Sequence, residues 1–253
     1  MPRIAVAEAP GVGLDGRDRP TEDVVMVLED AVVVLDGATS PRQDMPTGGA
    51  YAIELGAQLV ARLTAAPELP LTRHLGQAIR AVARGNGYQP GSGPSSTVAL
   101  LRWTDDEVEA LVLADSPVVV FTPGGPDLLA DTRLADLPAA ARATHEEVAR
   151  HRNRDGGFWV AEAVPAAAER ALCRSWPRSQ VEAVLVTTDG VSCGVDDYGL
   201  LDWPGCLALA RAQGPQALLD AVREAERGDP DRTRWPRPKV HDDQAAVFLD
   251  FTG

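Results

Sequence analysis

Four acidic points in the chain each close or open an apolar run. Asp36-Gly37 ends VVVLDG, Asp189-Gly190 ends VLVTTDG, Asp115 ends LVLAD, and Asp242-Asp243 lies at the start of HDDQAAVFLD. Short apolar runs rich in β-branched residues read as buried strands, so each carboxylate belongs to a strand tip. Aspartate is a hard oxygen donor, and a strand tip holds it rigidly. Such donors suit Mg²⁺ or Mn²⁺, which keep several waters and need few carboxylates each. Two such ions, roughly 3.5–4 Å apart and bridged by one carboxylate, activate a water and clamp a phosphate. A glycine after the Asp lets backbone approach closely, so that a carbonyl ligates or a substrate fits. The plainer explanation is a two-residue hairpin turn, which Asp-Gly favours. That turn needs a second strand at once, and neither Ala38-Thr39-Ser40-Pro41 nor VSCGVDDYG reads as one.

Other chemistries fail on context. GVGLDG, residues 11–16, matches Gly-x-Gly-x-x-Gly, but RDRPTED follows it instead of a helix opening, so it reads as a glycine-rich turn. His74, His145, His151 and His241 form no metal-ligand spacing, and only His241 adjoins an acidic point. Cys173, Cys193 and Cys206 are odd in number and contain no Cys-x-x-Cys. That excludes a disulfide framework and a zinc ribbon and reads as reduced thiols in a cytosolic protein. No Cys-x5-Arg is present, so thiol-phosphatase chemistry lacks its nucleophile. GSGPSST lacks the strand-to-helix setting of a nucleophile elbow. The basic run RTRWPRPKV, residues 232–240, reads as solvated loop charge, with substrate guidance as the alternative.

Taken in order, TEDVVMV, VVVLDGAT, SSTVALL, LVLADSPVVVF, VLVTTDGVS and HDDQAAVFLD resemble the metal-dependent protein phosphatases of the 2C type, which include bacterial serine/threonine phosphatases. The resemblance runs from about Ile4 to Asp250. It implies a role for each matching residue. Asp36 bridges two metal ions and Gly37 offers its carbonyl. Asp189 binds one ion, together with Asp242 or Asp243, of which Asp242 is favoured. Glu22 and Asp23 serve the second ion, directly or through water. Asp115 matches the Asp of Gly-Asp-Ser, which helps hold a loose third ion. The implied cofactors are two Mn²⁺ or Mg²⁺ ions with a third left open, and Asp36, Asp189 and Asp242 form the catalytic core.

There are three departures from the family pattern. Gly-Asp-Ser is Ala114-Asp115-Ser116 here. Ala38 stands where some relatives carry a His that protonates the leaving group. The Arg that grips phosphate precedes the acidic pair in the family, and Arg17 and Arg19 both miss its spacing. A planar guanidinium suits that task.

The elements that must position these residues come in groups. Apolar runs predict strands at 4–7, 24–29, 31–35, 97–103, 108–114, 118–122, 181–188 and 245–250. Most are apolar throughout, as in strands buried on both faces. Helical spacing appears at Ile53, Ala57, Val60 and Leu63, and at Leu71, Leu75, Ile79 and Val82, the latter stopping at Gly85-Asn86-Gly87. Residues 139–150 and 215–227 also read as helices, and 87–94 and 122–126 as loops. Strands in adjacent groups with helices between them favour antiparallel sheets with helices outside over a doubly wound sheet. The resemblance sharpens this to an α+β, four-layer α-β-β-α sandwich, with residues 1–253 as a single domain.

Composition sets the outer bounds. Hydrophobic residues make up 45% and charged residues 24% of the 253, as in an ordinary globular protein. A formal net charge of -13 opposes nucleic-acid binding, which needs clustered cations. No run is long enough to span a membrane and the N-terminus does not read as a signal peptide, so a cytoplasmic monomer without nucleic-acid or membrane partners is expected. The expected function is hydrolysis of phosphoserine or phosphothreonine in a phosphoprotein substrate by a metal-activated water. The alternatives are a phosphatase-like binding or regulatory module and a hydrolase of small phosphoesters.

Overall fold

In the computed structural model, which describes residues 1–38 and 46–252, the apolar runs become strands of two sheets. In chain order come β1 (Arg3–Ala9), β2 (Asp23–Val27), β3 (Ala31–Ala38), α1 (Gly48–Ala65), α2 (Leu71–Asn86), β4 (Ser95–Ser96), β5 (Val98–Trp103) and β6 (Glu107–Leu113). They are followed by β7 (Val118–Thr122), β8 (Gly125–Leu129), α3 (His145–His151), β9 (Leu172–Pro177) and β10 (Ala183–Thr187). The chain ends with α4 (Asp189–Asp196), α5 (Trp203–Gln213), α6 (Gln216–Arg227) and β11 (Gln244–Asp250). One sheet is ordered β1-β11-β10-β7-β8 and the other β2-β3-β5-β6-β9, with β4 beside β3. The strand pairs are antiparallel.

The central strands are apolar throughout because both faces are covered. Side chains alternate across a strand. Val32 and Val34 of β3 point to the other sheet, where Val184, Val186, Val247 and Leu249 meet them. Val33 and Leu35 point the opposite way, onto Leu55 and Leu59 of α1 and Leu75 and Ile79 of α2. The second sheet repeats this arrangement. Leu185, Ala246 and Phe248 face outward onto Val191 of α4, Cys206 of α5 and Leu219 of α6. The result is antiparallel sheets with helices outside, as the grouping of strands favoured, in the helix–sheet–sheet–helix sandwich that the resemblance implied. Among the described residues, no helix is long and apolar enough to cross a membrane.

Several elements differ from the sequence expectation. Residues 122–126, read as loop, contain a tight hairpin from β7 into β8, with Gly125 at φ 110. Strand β9 escaped notice because it is a mostly exposed edge strand without apolar alternation. The predicted helix 139–150 breaks into a short 3-10 turn, Ala139–Arg142, and α3. Thr144 interrupts it by capping α3, its Oγ1 accepting from Glu147 N–H at 3.2 Å. The segment VSCGVDD is helix α4. Ala38 ends β3, while residues 39–41, read as non-strand, lie outside the described residues.

The register brings the acidic tips to one end of the sandwich. Asp23 opens β2 and lies opposite Asp36 near the end of β3. Asp189 follows β10, Asp242 and Asp243 precede β11, and Asp115 follows β6. Because neighbouring strands run antiparallel, ends and beginnings alternate along this one edge.

Candidate metal centre

Both sheets contribute, and polar bonds between them fix the geometry. Thr188 caps α4 from the end of β10. Its Oγ1 donates to Asp23 Oδ2 at 2.7 Å and accepts from Ala245 N–H at 2.9 Å. Asp243 Oδ2 accepts the Glu22 N–H at 2.7 Å, a second tie from the lead of β11 to β2. Asp36 N–H donates to Thr97 Oγ1 at 3.0 Å, and that hydroxyl lies 2.6 Å from Ser116 Oγ. Glu22 Oε1 accepts from Gly49 N–H in the first turn of α1 at 3.2 Å.

The glycines after the two aspartates have a reason to be there that the sequence did not reveal. A Cβ on Gly37 would lie 2.3 Å from the Gly48 carbonyl carbon, so Gly37 lets α1 seat against the tip of β3. A Cβ on Gly190 would lie 2.0 Å from the Asp243 carbonyl oxygen, so Gly190 lets the lead of β11 pass. Ala114, where the resemblance expects glycine, holds the left-handed conformation at φ 67. Its N–H donates to Asp131 Oδ2 at 2.9 Å.

Crowding shifts the carboxyls. Asp36 is raised well above the carboxylate range by burial first, then by Asp23, Asp189, Asp242 and Asp115. Asp23 is raised by burial and by Asp243, against the Thr188 hydrogen bond. Burial also raises Asp115. Asp189 rises to about 6 through burial and Asp115, and Asp242 to about 7 through burial and Asp189. Asp243 goes the other way. Although burial opposes it, hydrogen bonding with Asp242, the Lys239 charge and the Glu22 N–H hold it at about 2.

All of these donors are hard oxygens, and their mutual repulsion is a demand for positive charge. The donor set therefore fits a hard divalent cation. As they stand, no three acidic side chains among the described residues close around one point tightly enough to coordinate an ion. One cation of the chain is already there: Lys239 Nζ pairs with Asp242 Oδ1 and lies 3.1 Å from Asp243 Oδ1.

The structure thus brings together Glu22, Asp23, Asp36, Gly37, Asp115, Asp189, Asp242 and Asp243. It does not bring Arg17 or Arg19 to them. The Arg17 side chain is 86% exposed beside Asp15, and neither guanidinium bonds to a site carboxylate among the described residues. Asp115, Asp189 and Asp242 line a cleft of about 770 Å³ whose walls include Arg142, Arg234 and Trp235. Arg234 stacks over Trp235, 4.2 Å from the ring centroid. His241 is not a free neighbour of the site, because its Nδ1 lies 2.5 Å from Oε2 of the buried Glu226. Sequence reasoning missed Thr97, Thr188 and Lys239. A signal for Thr188 was its place next to Asp189, whereas Thr97 lies 61 residues from Asp36 and carried none. Lys239 carried no such signal, because it lies in a loop.

Among solved structures, the chain is similar to the catalytic domain of the serine/threonine protein phosphatase PstP in complex with two manganese ions. That match has TM-score 0.61 and 16% identity over 98% of this chain and 97% of that one. It is similar to the serine/threonine phosphatase Stp1 from Staphylococcus aureus, at TM-score 0.63 and 14% identity over 100% and 96%. It is also similar to PppA, a regulatory component of T6SS in Pseudomonas aeruginosa, at TM-score 0.61 and 17% identity over 98% and 97%. No family model and no curated protein matches the chain. At these identities the likeness is one of fold, and it extends over essentially the full length.

Proposed function

We propose that this chain is a Mg²⁺- or Mn²⁺-dependent phosphatase of the serine/threonine phosphoprotein class, with residues 1–253 acting as one domain. The observation that carries this reading is the set of buried and half-buried carboxyls, drawn from both sheets, that crowd one another at the mouth of a cleft. The fold shared with manganese-containing PstP supports it.

In this reading Asp36, with the Gly37 carbonyl, would serve both ions. Asp189 and Asp242 would hold one ion, Glu22 and Asp23 the other, and Asp115 a third. Asp242 is assigned as ligand over Asp243 because Asp242 lines the cleft, whereas Asp243 is engaged by the Glu22 N–H. When bound, the ions supply an acidified water as nucleophile and charge to hold the phosphoryl oxygens. Thr188 aims Asp23 and Thr97 fixes the backbone of Asp36, so the donors keep their places as charge develops. Arg142 and Arg234 on the cleft walls supply positive charge for an anionic substrate, a task for which the exposed Arg17 is badly placed. Ala38 has no acidic proton to give, so the leaving alkoxide takes its proton from water or from another group.

The test is hydrolysis of para-nitrophenyl phosphate and of a phosphothreonine peptide, with Mn²⁺, with Mg²⁺ and with chelator, for the wild type and Asp36→Asn. Metal-dependent turnover that Asp36→Asn abolishes is expected, with the peptide preferred over the small ester. Near-normal turnover in a folded Asp36→Asn protein would sink the assignment. A folded wild type without turnover in either metal would point to a binding module.

A further inference from the structure

The loop between α6 and β11 carries a lysine into the carboxylate cluster, and it is built to do so. Asp229, only 6% exposed, accepts the N–H groups of Thr233, Arg234 and Trp235 at 3.0–3.1 Å. Arg237 ties Asp229 to the carbonyls of Trp235, Glu226 and Val240 at 2.9–3.0 Å. These bonds fix the backbone on both sides of Lys239. From that anchor the ammonium pairs with Asp242 and Asp243, and its side chain is 21% exposed. A lysine on an unanchored loop would leave its charge in water.

We propose that Lys239 is a resident counter-cation of the Asp242–Asp243 pair, which a divalent ion must displace in order to bind. The proposal rests on the metal-dependent reading above and assigns a regulator to that same site. The chemistry is competition for one set of lone pairs. An ammonium and a divalent ion cannot both take Asp242 Oδ1, and at contact distance they repel. The exchange leaves the fold intact, because the anchor is Arg237 and Asp229, not the ammonium. The flexible four-carbon stem lets the ammonium swing into the cleft that Lys239 already lines. Lys239 thereby balances charge in the metal-free chain and sets a threshold concentration for metal loading.

The experiment is calorimetric titration of Mn²⁺ into the full chain as wild type, Lys239→Met, Lys239→Gln and Lys239→Arg, with thermal melting in chelator alongside. Methionine keeps the stem without the charge. Lys239→Met and Lys239→Gln should bind Mn²⁺ on the order of tenfold more tightly, the scale of one charged hydrogen bond lost to the competitor. Both should melt lower than wild type in chelator, and Lys239→Arg should return the affinity to near the wild-type value. Unchanged or weaker Mn²⁺ binding in whichever neutral variant folds overturns the proposal and leaves the metal reading standing. A wild type that binds no Mn²⁺ at all overturns both, so the two failures are distinguishable.

Discussion

Asp189→Asn should stabilise the metal-free protein at alkaline pH. Burial, then Asp115, raises the Asp189 carboxyl from an ordinary 3.8 to about 6. At about 1.4 kcal/mol per pH unit, ionised Asp189 then costs the fold roughly 3 kcal/mol at about pH 8. Asparagine keeps the shape and removes that cost. It also removes a negative charge from the first turn of α4, where Asp189 sits, which gives back roughly 0.5–1 kcal/mol. A net gain of about 2 kcal/mol remains. Its pH dependence follows from a folded-state value above the unfolded one. The stability that Asp189 contributes is fully present below 3.8 and is lost as the pH rises through about 6. Wild type should therefore weaken more steeply across that window than the variant, which keeps the other raised carboxyls, and the gap between the two should close towards about pH 4. Urea unfolding in chelator at both ends of the window measures the gap. A variant less stable than wild type at both ends would refute the argument, because the carboxylate could not then be bearing a charge penalty. With Mn²⁺ in excess the order should invert, since only the wild type gains the full binding-linked stabilisation.

Two backbone predictions follow from the same edge of the sandwich. Gly37→Ala sets a Cβ 2.3 Å from backbone of Gly48, and Gly48→Ala sets one 2.4 Å from backbone of Gly37. Neither neighbour can yield like a flexible side chain, so either variant should lose more than about 3 kcal/mol, and a wild-type melting curve would show that α1 is not seated there. Ala114→Gly should act in the opposite direction. At φ 67 a Cβ is strained by about 1–2 kcal/mol, offset by roughly 0.5–1 for the freer unfolded glycine. A gain of about 0.5–1 kcal/mol in chemical denaturation is expected, and a loss would mean that the left-handed conformation at Ala114 carries no strain.

The carboxylates were legible because their signal is local and strong: an acid at the tip of an apolar run. The layering was legible in part because central strands apolar at every position must be covered on both faces and their grouping favoured helices outside antiparallel sheets; the four-layer sandwich itself came from the resemblance. Helix α4 was hidden by its composition. Gly190, Ser192 and Gly194 are poor helix formers, and tertiary packing keeps them: Gly190 passes the Asp243 carbonyl and Gly194 sits against Val222. Lys239 was hidden for a different reason. In a run of cations it looks like solvated charge, and its partners lie three and four residues away in a loop, where no periodicity shows which side chains meet. Only the Asp229–Arg237 anchor aims it, and that anchor spans a turn with Arg232 at φ 55.

Apolar packing can make such a sandwich rigid, but it cannot aim a carboxylate. The inter-sheet core of Val32, Val34, Val184 and Val186 stops where the acidic tips begin, and past that point the sheets are joined by polar bonds. Thr188 reaches Asp23, and Asp243 reaches the Glu22 N–H. Each bond ties a residue flanking β10 or β11 to one at the start of β2. Each also satisfies a carboxylate oxygen, and the opposite oxygen of Asp243 faces Lys239. The division of labour explains why charged residues persist at a packed edge: the valines hold the two sheets at a fixed spacing, and the cross-sheet bonds convert that spacing into the separation of the carboxylates. A change in either should be felt in the other, because the site exists only where both sheets are in register.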